Sequence, residues 1–287
     1  MKKLLAIVIS VLMVLTVIPM SVFAEESSEN TCGEALTWSF DEETGALVIS
    51  GTGVMTNYSA ASPAPWNDLI ESISKITVED GVTTIGNDTF VGCANLGEVS
   101  LPDSLTKIGD SAFRDCISLT EITIPDAVKS LGHYAFYGCK GLTELKLGNS
   151  VKTVGNYAFT KCTGIRIVTI PEAMATIGKN AFKDCSAIDF VIFKGTEEQW
   201  KAVTIGDGNE VLADAMIRFG EVKLGDANGD GQSNSTDALM CMQQSVGMVD
   251  FVGDWFDSMD VSGDGKVNSY DALKILKLSV GEIDRFN

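Results

Sequence analysis

Ile108-Gly109-Asp110-Ser111-Ala112-Phe113-Arg114-Asp115-Cys116 runs into Ile117-Ser118-Leu119-Thr120-Glu121-Ile122-Thr123-Ile124-Pro125, and the pattern returns 23 residues later from Leu131 to Cys139. The same spacing separates Cys93, Cys116, Cys139, Cys162 and Cys185, then Phe90, Phe113, Phe136, Phe159 and Phe182, then Gly86, Gly109, Gly132, Gly155 and Gly178. A fixed period of this length is the mark of stacked repeats, each unable to bury its apolar face alone. Each unit carries an apolar pair that brackets one residue: Ile76 and Val78, Val99 and Leu101, Ile122 and Ile124, Leu145 and Leu147, Val168 and Ile170, Val191 and Phe193. That alternation predicts a short strand with one buried side. The outward positions run from acidic and hydroxylated (Glu98, Ser100, Glu121, Thr123, Glu144) to apolar (Ile167, Phe190, Ile192).

Outward from the repeats, Gly33 to Gly53 reads as a hairpin, with Leu36, Trp38 and Phe40 alternating before a turn at Asp41 to Gly45 and Leu47 and Ile49 after it. It is placed to cap the first coil, and Gly195 to Phe219 to cap the last, because open solenoid ends expose apolar strands. The unit Cys-x-x-Leu-x-x-Val-x-Leu-Pro followed by Ile-Gly-x-x-Ala-Phe-x-x-Cys resembles the leucine-rich repeat of BspA-like bacterial surface proteins over residues 76–193. The repeated cysteines lack the close pairs of a zinc site. Their in-register side chains would point in parallel, so the reading is a buried ladder of thiols rather than disulfides. Cys32 and Cys241 lie outside it, and sequence does not settle their redox state. His133 shares its repeat slot with Asn87, Asp110, Asn156 and Lys179, which reads as solvent-facing rather than catalytic. Tyr134 and Tyr157 share another slot, beside Tyr137, and could form a small aromatic platform.

Past Gly220 a second repeat begins, with a period of 34. Asp226-Ala-Asn-Gly-Asp-Gly-Gln-Ser-Asn-Ser-Thr-Asp237 aligns with Asp260-Val-Ser-Gly-Asp-Gly-Lys-Val-Asn-Ser-Tyr-Asp271. Oxygen donors at loop positions 1, 3 and 5, a Gly at 6, a backbone carbonyl at 7 and a carboxylate at 12 suit a hard divalent cation. The candidate ligands are therefore Asp226, Asn228, Asp230, Gln232 and Asp237 in one loop and Asp260, Ser262, Asp264, Lys266 and Asp271 in the other, for two calcium ions. Asp replaces the usual Glu at position 12 in both loops, and Ser262 departs from Asp or Asn at position 3. A helix is expected after each loop, Asp237 to Val246 and Asp271 to Val280, with Gly247 and Gly281 as stops, and none before the first.

Two such loop-helix halves with Asn-Ser at positions 9 and 10 resemble a type I dockerin over residues 224–287. The resemblance implies docking onto a cohesin domain of a scaffold protein, as in cellulosomes. It further implies that Ser235, Thr236, Met242 and Gln243, with Ser269, Tyr270, Leu276 and Lys277, read the cohesin.

Met1 to Ala24, with Lys2 and Lys3 before an apolar run, reads as a secretory signal peptide, an uncleaved anchor being the alternative. The net charge is -18, and cleavage would remove two lysines and no acid. So acidic a surface argues against nucleic acid and, after cleavage, against membrane association. The expected fold is an α/β leucine-rich-repeat solenoid with an N-terminal β-hairpin cap, followed by a small all-α calcium-binding domain. The expected divisions are 1–24 signal, 25–75 cap, 76–193 repeats, 194–220 cap and 224–287 dockerin. The expected protein is secreted and non-catalytic, attached to a scaffold complex or cell surface, with a protein or glycan partner on the repeats. A carbohydrate-active enzyme or carbohydrate-binding module on the coils is the alternative.

Overall fold

The computed structural model describes residues 30–220, 223–229, 231–248 and 254–286. The signal-peptide expectation lies outside them. Two parallel ladders run along the coils. The first holds Ala46–Gly51, Lys75–Val78 and Glu98–Ser100 side by side, then Glu144–Lys146, Ile167–Ile170, Phe190–Phe193 and Met216–Phe219. Between the two groups, the strand expected at Ile122–Ile124 is reduced to a single bridge from Thr123 to Lys146. Pro102 and Pro125 sit at this junction, and neither can donate a ladder hydrogen bond. Ile122 and Ile124 are nonetheless buried, so the alternation survives where the ladder does not.

The second ladder is seven strands wide and two to four residues deep, from Gly53–Val54 through Val82–Ile85, Lys107–Ile108, Ser130–Leu131, Thr153–Val154 and Thr176–Ile177 to Thr204–Ile205. Its neighbours Lys107, Ser130, Thr153 and Thr176 pair in register, one repeat apart. The third side of each coil is built of turns, whose amides also bond to the next coil: Phe113 to Ala135, and Phe136 to Ala158.

The periodic residues explain one another. A Cβ built on Gly132 would stand 2.5 Å from the carbonyl carbon of Gly109, and one on Gly155 would stand 2.5 Å from that of Gly132, so glycine lets neighbouring backbones meet. Behind them, Phe90, Phe113, Phe136, Phe159 and Phe182 stack with centroids 5.2 to 5.3 Å apart, all fully buried. Trp66 begins the stack, 5.6 Å from Phe90, with its Nε1 donating to the Thr89 carbonyl. Each aromatic contact adds about 0.5–1.5 kcal/mol beyond the burial itself.

The hairpin pairs Leu36–Asp41 with Ala46–Gly51, as expected, and its second strand opens the first parallel ladder. At the other end, α1 (Glu197–Ala202) starts at Thr196 in a capping box with Gln199, and α2 (Glu210–Asp214) leads into Met216–Phe219. That last strand pairs in parallel with Phe190–Phe193, so the cap is itself an irregular coil.

Beyond it lie α3 (Ser235–Ser245), α4 (Asp254–Met259) and α5 (Ser269–Ser279). Ahead of the second loop, where the sequence reading placed no helix, α4 leads in at Asp260. Helices α3 and α5 pack on each other, and Ala238, Cys241, Met259, Ala272 and Ile275 form their buried core. Ile167, Phe190 and Ile192 of the repeat sheet belong to that same core. The C-terminal module, not the solenoid's own cap, covers the outward apolar patch.

Candidate calcium loops and docking helices

Each loop closes on its position-12 aspartate. Asp237 Oδ1 accepts from the Asn228 amide at 3.0 Å and Oδ2 from Asn234 at 2.8 Å. Asp271 repeats this with Ser262 at 3.0 Å and Asn268 at 2.9 Å. Both carboxylates are fully buried, and both are the third residue of a capping box whose cap is Asn234 or Asn268. One short carboxylate thus ties the loop start to the helix start, satisfying orphan amides at the helix N-terminus. The longer Glu usual at this position would have to fold back to make the same bonds.

The position-1 residues differ between the loops. Asp226 is buried, its Oδ2 accepts from Gly231, and its Oδ1 has no hydrogen-bond partner among the described residues. A buried carboxylate oxygen left unbonded is costly unless a cation meets it. Asp260 is half-buried and accepts from Gly263, Asp264 and Gly265. Burial is the largest single influence and raises its pKa, but these amides and the Ser262 hydroxyl together outweigh it and hold the carboxyl below the ordinary range. Asn228 and Ser262 are half-buried near the loop starts, while Asp264, Gln232 and Lys266 are exposed. Asp230 lies outside the described residues. Among those described, no three acidic, His or Cys side chains converge as a preformed metal cage. Paired carboxylates, an amide and a hydroxyl in hairpin-tight loops still make an oxygen set that suits calcium.

The BspA-type leucine-rich repeat region family model matches six copies over residues 69–189, and the type I dockerin domain model matches residues 224–278. The chain carries a BspA-type leucine-rich repeat region and a type I dockerin. No curated protein matches it. Among solved structures, a leucine-rich repeat protein of T. pallidum is 22% identical, with 62% of this chain and 86% of that one covered at a TM-score of 0.46. A leucine-rich repeat protein of Bacteroides ovatus is 15% identical over 69% and 75% of the chains, at 0.37. A leucine-rich cell surface protein of Faecalibacterium prausnitzii is 20% identical over 57% and 54%, at 0.38.

A dockerin has a cohesin as its partner, and its helices must offer a free face. Ser235, Thr236 and Met242 on α3 are exposed and Gln243 is half-buried; on α5, Ser269, Tyr270 and Leu276 are exposed and Lys277 is half-buried. All eight candidate residues therefore remain accessible while the opposite side of the dockerin rests on the repeat sheet. The structure adds residues that sequence reading missed. Leu239 is 57% exposed and Leu273 47%, while Val246 and Val280 are 64% and 70%, so each helix carries an apolar stripe open to solvent. The signal was available, since each pair recurs at the dockerin period. Tyr270 lies under the Lys274 ammonium, 5.3 Å from the ring centre, with no counterpart at Thr236.

Proposed function

We propose that this is a secreted, non-catalytic adaptor. Its dockerin, folded around two calcium ions, plugs into a cohesin on a scaffold protein of the cellulosome type, while its repeats recognise a protein or glycan. Matched solvent-exposed stripes on α3 and α5, each hung from a loop with the same aspartate bracing, carry this reading. Asp226, Asn228, Asp230, the Gln232 carbonyl and Asp237 would hold one ion, and Asp260, Ser262, Asp264, the Lys266 carbonyl and Asp271 the other. Calcium would supply the positive charge that lets buried carboxylates share a loop. The test is a pull-down with the full chain from secreted and cell-wall fractions. A cohesin-bearing scaffold should be captured in calcium and released by chelator; capture that chelator leaves unchanged would refute the reading.

The repeats' own partner is best sought at the tyrosines. Tyr134 and Tyr157 stack with centroids 4.9 Å apart and planes 2° apart, and Tyr137 lies 5.9 Å from Tyr134. Both stacked residues sit in a left-handed slot, with φ of 57° and 60°, that Asp88, Ser111 and Asn180 fill on other coils. Bulky side chains are unusual there, and such strain gathers at binding surfaces. Loss of retention on a glycan or surface-protein array in a Tyr134→Ala/Tyr157→Ala double variant would support this, and unchanged retention would exclude the site.

A further inference from the structure

The two dockerin loops are close copies, but among the described residues only the first sets its position-4 glycine against the solenoid. A Cβ on Gly229 would stand 2.1 Å from Cγ and 3.0 Å from Nε of Arg218, a fully buried residue on the last solenoid strand. At the equivalent Gly263, nothing lies within 4 Å. The two glycines share the same backbone, with φ of 73° and 72°. Charge follows the same division. Each loop carries three aspartates, but the second includes its own cation, Lys266, where the first has the neutral Gln232. A calcium ion leaves the first loop one negative charge in excess and the second balanced. Two cations approach this loop, Lys223 with its Nζ 4.0 Å from a Cβ built on Gly231 and, from the neighbouring domain, Arg218 packed at Gly229.

Beside this contact, Ile167, Phe190 and Ile192 lie 2% to 4% exposed under the dockerin core, and Thr169 is buried among them. We propose that the first calcium loop is a latch: its loading seats Gly229 on Arg218 and clamps the dockerin onto the repeat sheet, whereas the second loop binds calcium without reference to the solenoid. The cohesin would then be held at a fixed angle to the repeats, and calcium withdrawal would uncover an apolar sheet face. By linkage, whatever the first ion contributes to docking, docking returns to the affinity of that ion.

The inference rests on the loops binding calcium, and its test separates the two claims. Calcium is titrated calorimetrically into the full chain, and the docked state is followed in saturating calcium by small-angle scattering. Gly229→Ala and Gly263→Ala impose the same backbone strain, so their difference reports the contact with the last solenoid strand, made by the Arg218 side chain and by the Phe219 carbonyl, 2.9 Å from the built Cβ. The latch predicts that Gly229→Ala weakens one calcium step at least tenfold more than Gly263→Ala does and lengthens the particle, while Gly263→Ala leaves its dimensions unchanged. Phe190→Glu, on the sheet face under the dockerin core and outside both loops in sequence, should weaken one calcium step roughly tenfold and spare the other. Adding Arg218→Ala should partly rescue Gly229→Ala and leave Gly263→Ala unaffected. Equal effects of the two glycine variants, or two calcium steps untouched by Phe190→Glu, would overturn the latch while leaving calcium binding intact. A wild-type chain that binds no calcium would overturn both.

Discussion

His133 shows what a single repeat position asks for. Its Nδ1 accepts from the Asn156 amide at 2.9 Å, while its own amide donates to Asp110 Oδ1 at 2.7 Å. Asn57 and Asn87 below, and Asn156 above, form the same rung at 2.8 to 2.9 Å. The slot is solvent-facing, as the sequence suggested, but it selects for a side-chain acceptor, a preference invisible until the coils are stacked. His133→Leu should therefore cost about 1 kcal/mol in a denaturant melt, the net worth of one hydrogen bond, and His133→Asn almost nothing. The thiols of the ladder show the converse, where sequence sufficed: all five are free and buried, and those from Cys116 to Cys185 donate Sγ–H to a phenylalanine carbonyl of the preceding coil at 3.0 to 3.3 Å, while Cys32 and Cys241, which sequence left open, are free and buried as well. Burial pushes the thiols of Cys32, Cys93 and Cys241 up to about 12. A raised folded-state pKa contributes stability that is complete below the unfolded value, near about 8.5, and is lost as pH climbs toward the folded one. The melting temperature should thus fall between pH 9 and 12, and labelling should find no reactive thiol in native protein at pH 8.

At the scale of elements, the aromatic stack and the glycine contacts turn one coil into a template for the next. Phe136 is fully buried between Phe113 and Phe159, so Phe136→Ala should destabilise the solenoid by about 3–5 kcal/mol, read as a lower denaturation midpoint. These elements were legible because periodicity reports side-chain burial directly. Features set by contacts between unlike segments were not. The ladder at Thr123, cut to a single bridge with Lys146, is set by how neighbouring coils meet. Helix α4 is only six residues long, too short for an apolar period to announce it. The shelter of Ile167, Phe190 and Ile192 comes from a domain with a different repeat length, so their apolar character was visible and their occupant was not.

For the molecule as a whole, an acidic solenoid carries a small helical module whose candidate docking residues remain exposed or half-buried. The two faces are unequal: Tyr270 and Lys277 on α5 stand where Thr236 and Gln243 stand on α3, and Lys277 lies 4.0 Å from Glu282. A cohesin shaped to one half would clash with, or leave polar groups unpaired against, the other, so one orientation should dominate. Charge reversal of Lys277 and a bulky replacement of Thr236 should then change cohesin affinity very unequally; equal small losses, with collapse only on combining them, would indicate two interchangeable modes. The most direct measurement is a calorimetric titration of the full chain with a purified cognate cohesin, in millimolar calcium and again in chelator. The account predicts one-to-one binding in calcium that weakens at least a hundredfold in chelator, and equal affinity in the two buffers would contradict it.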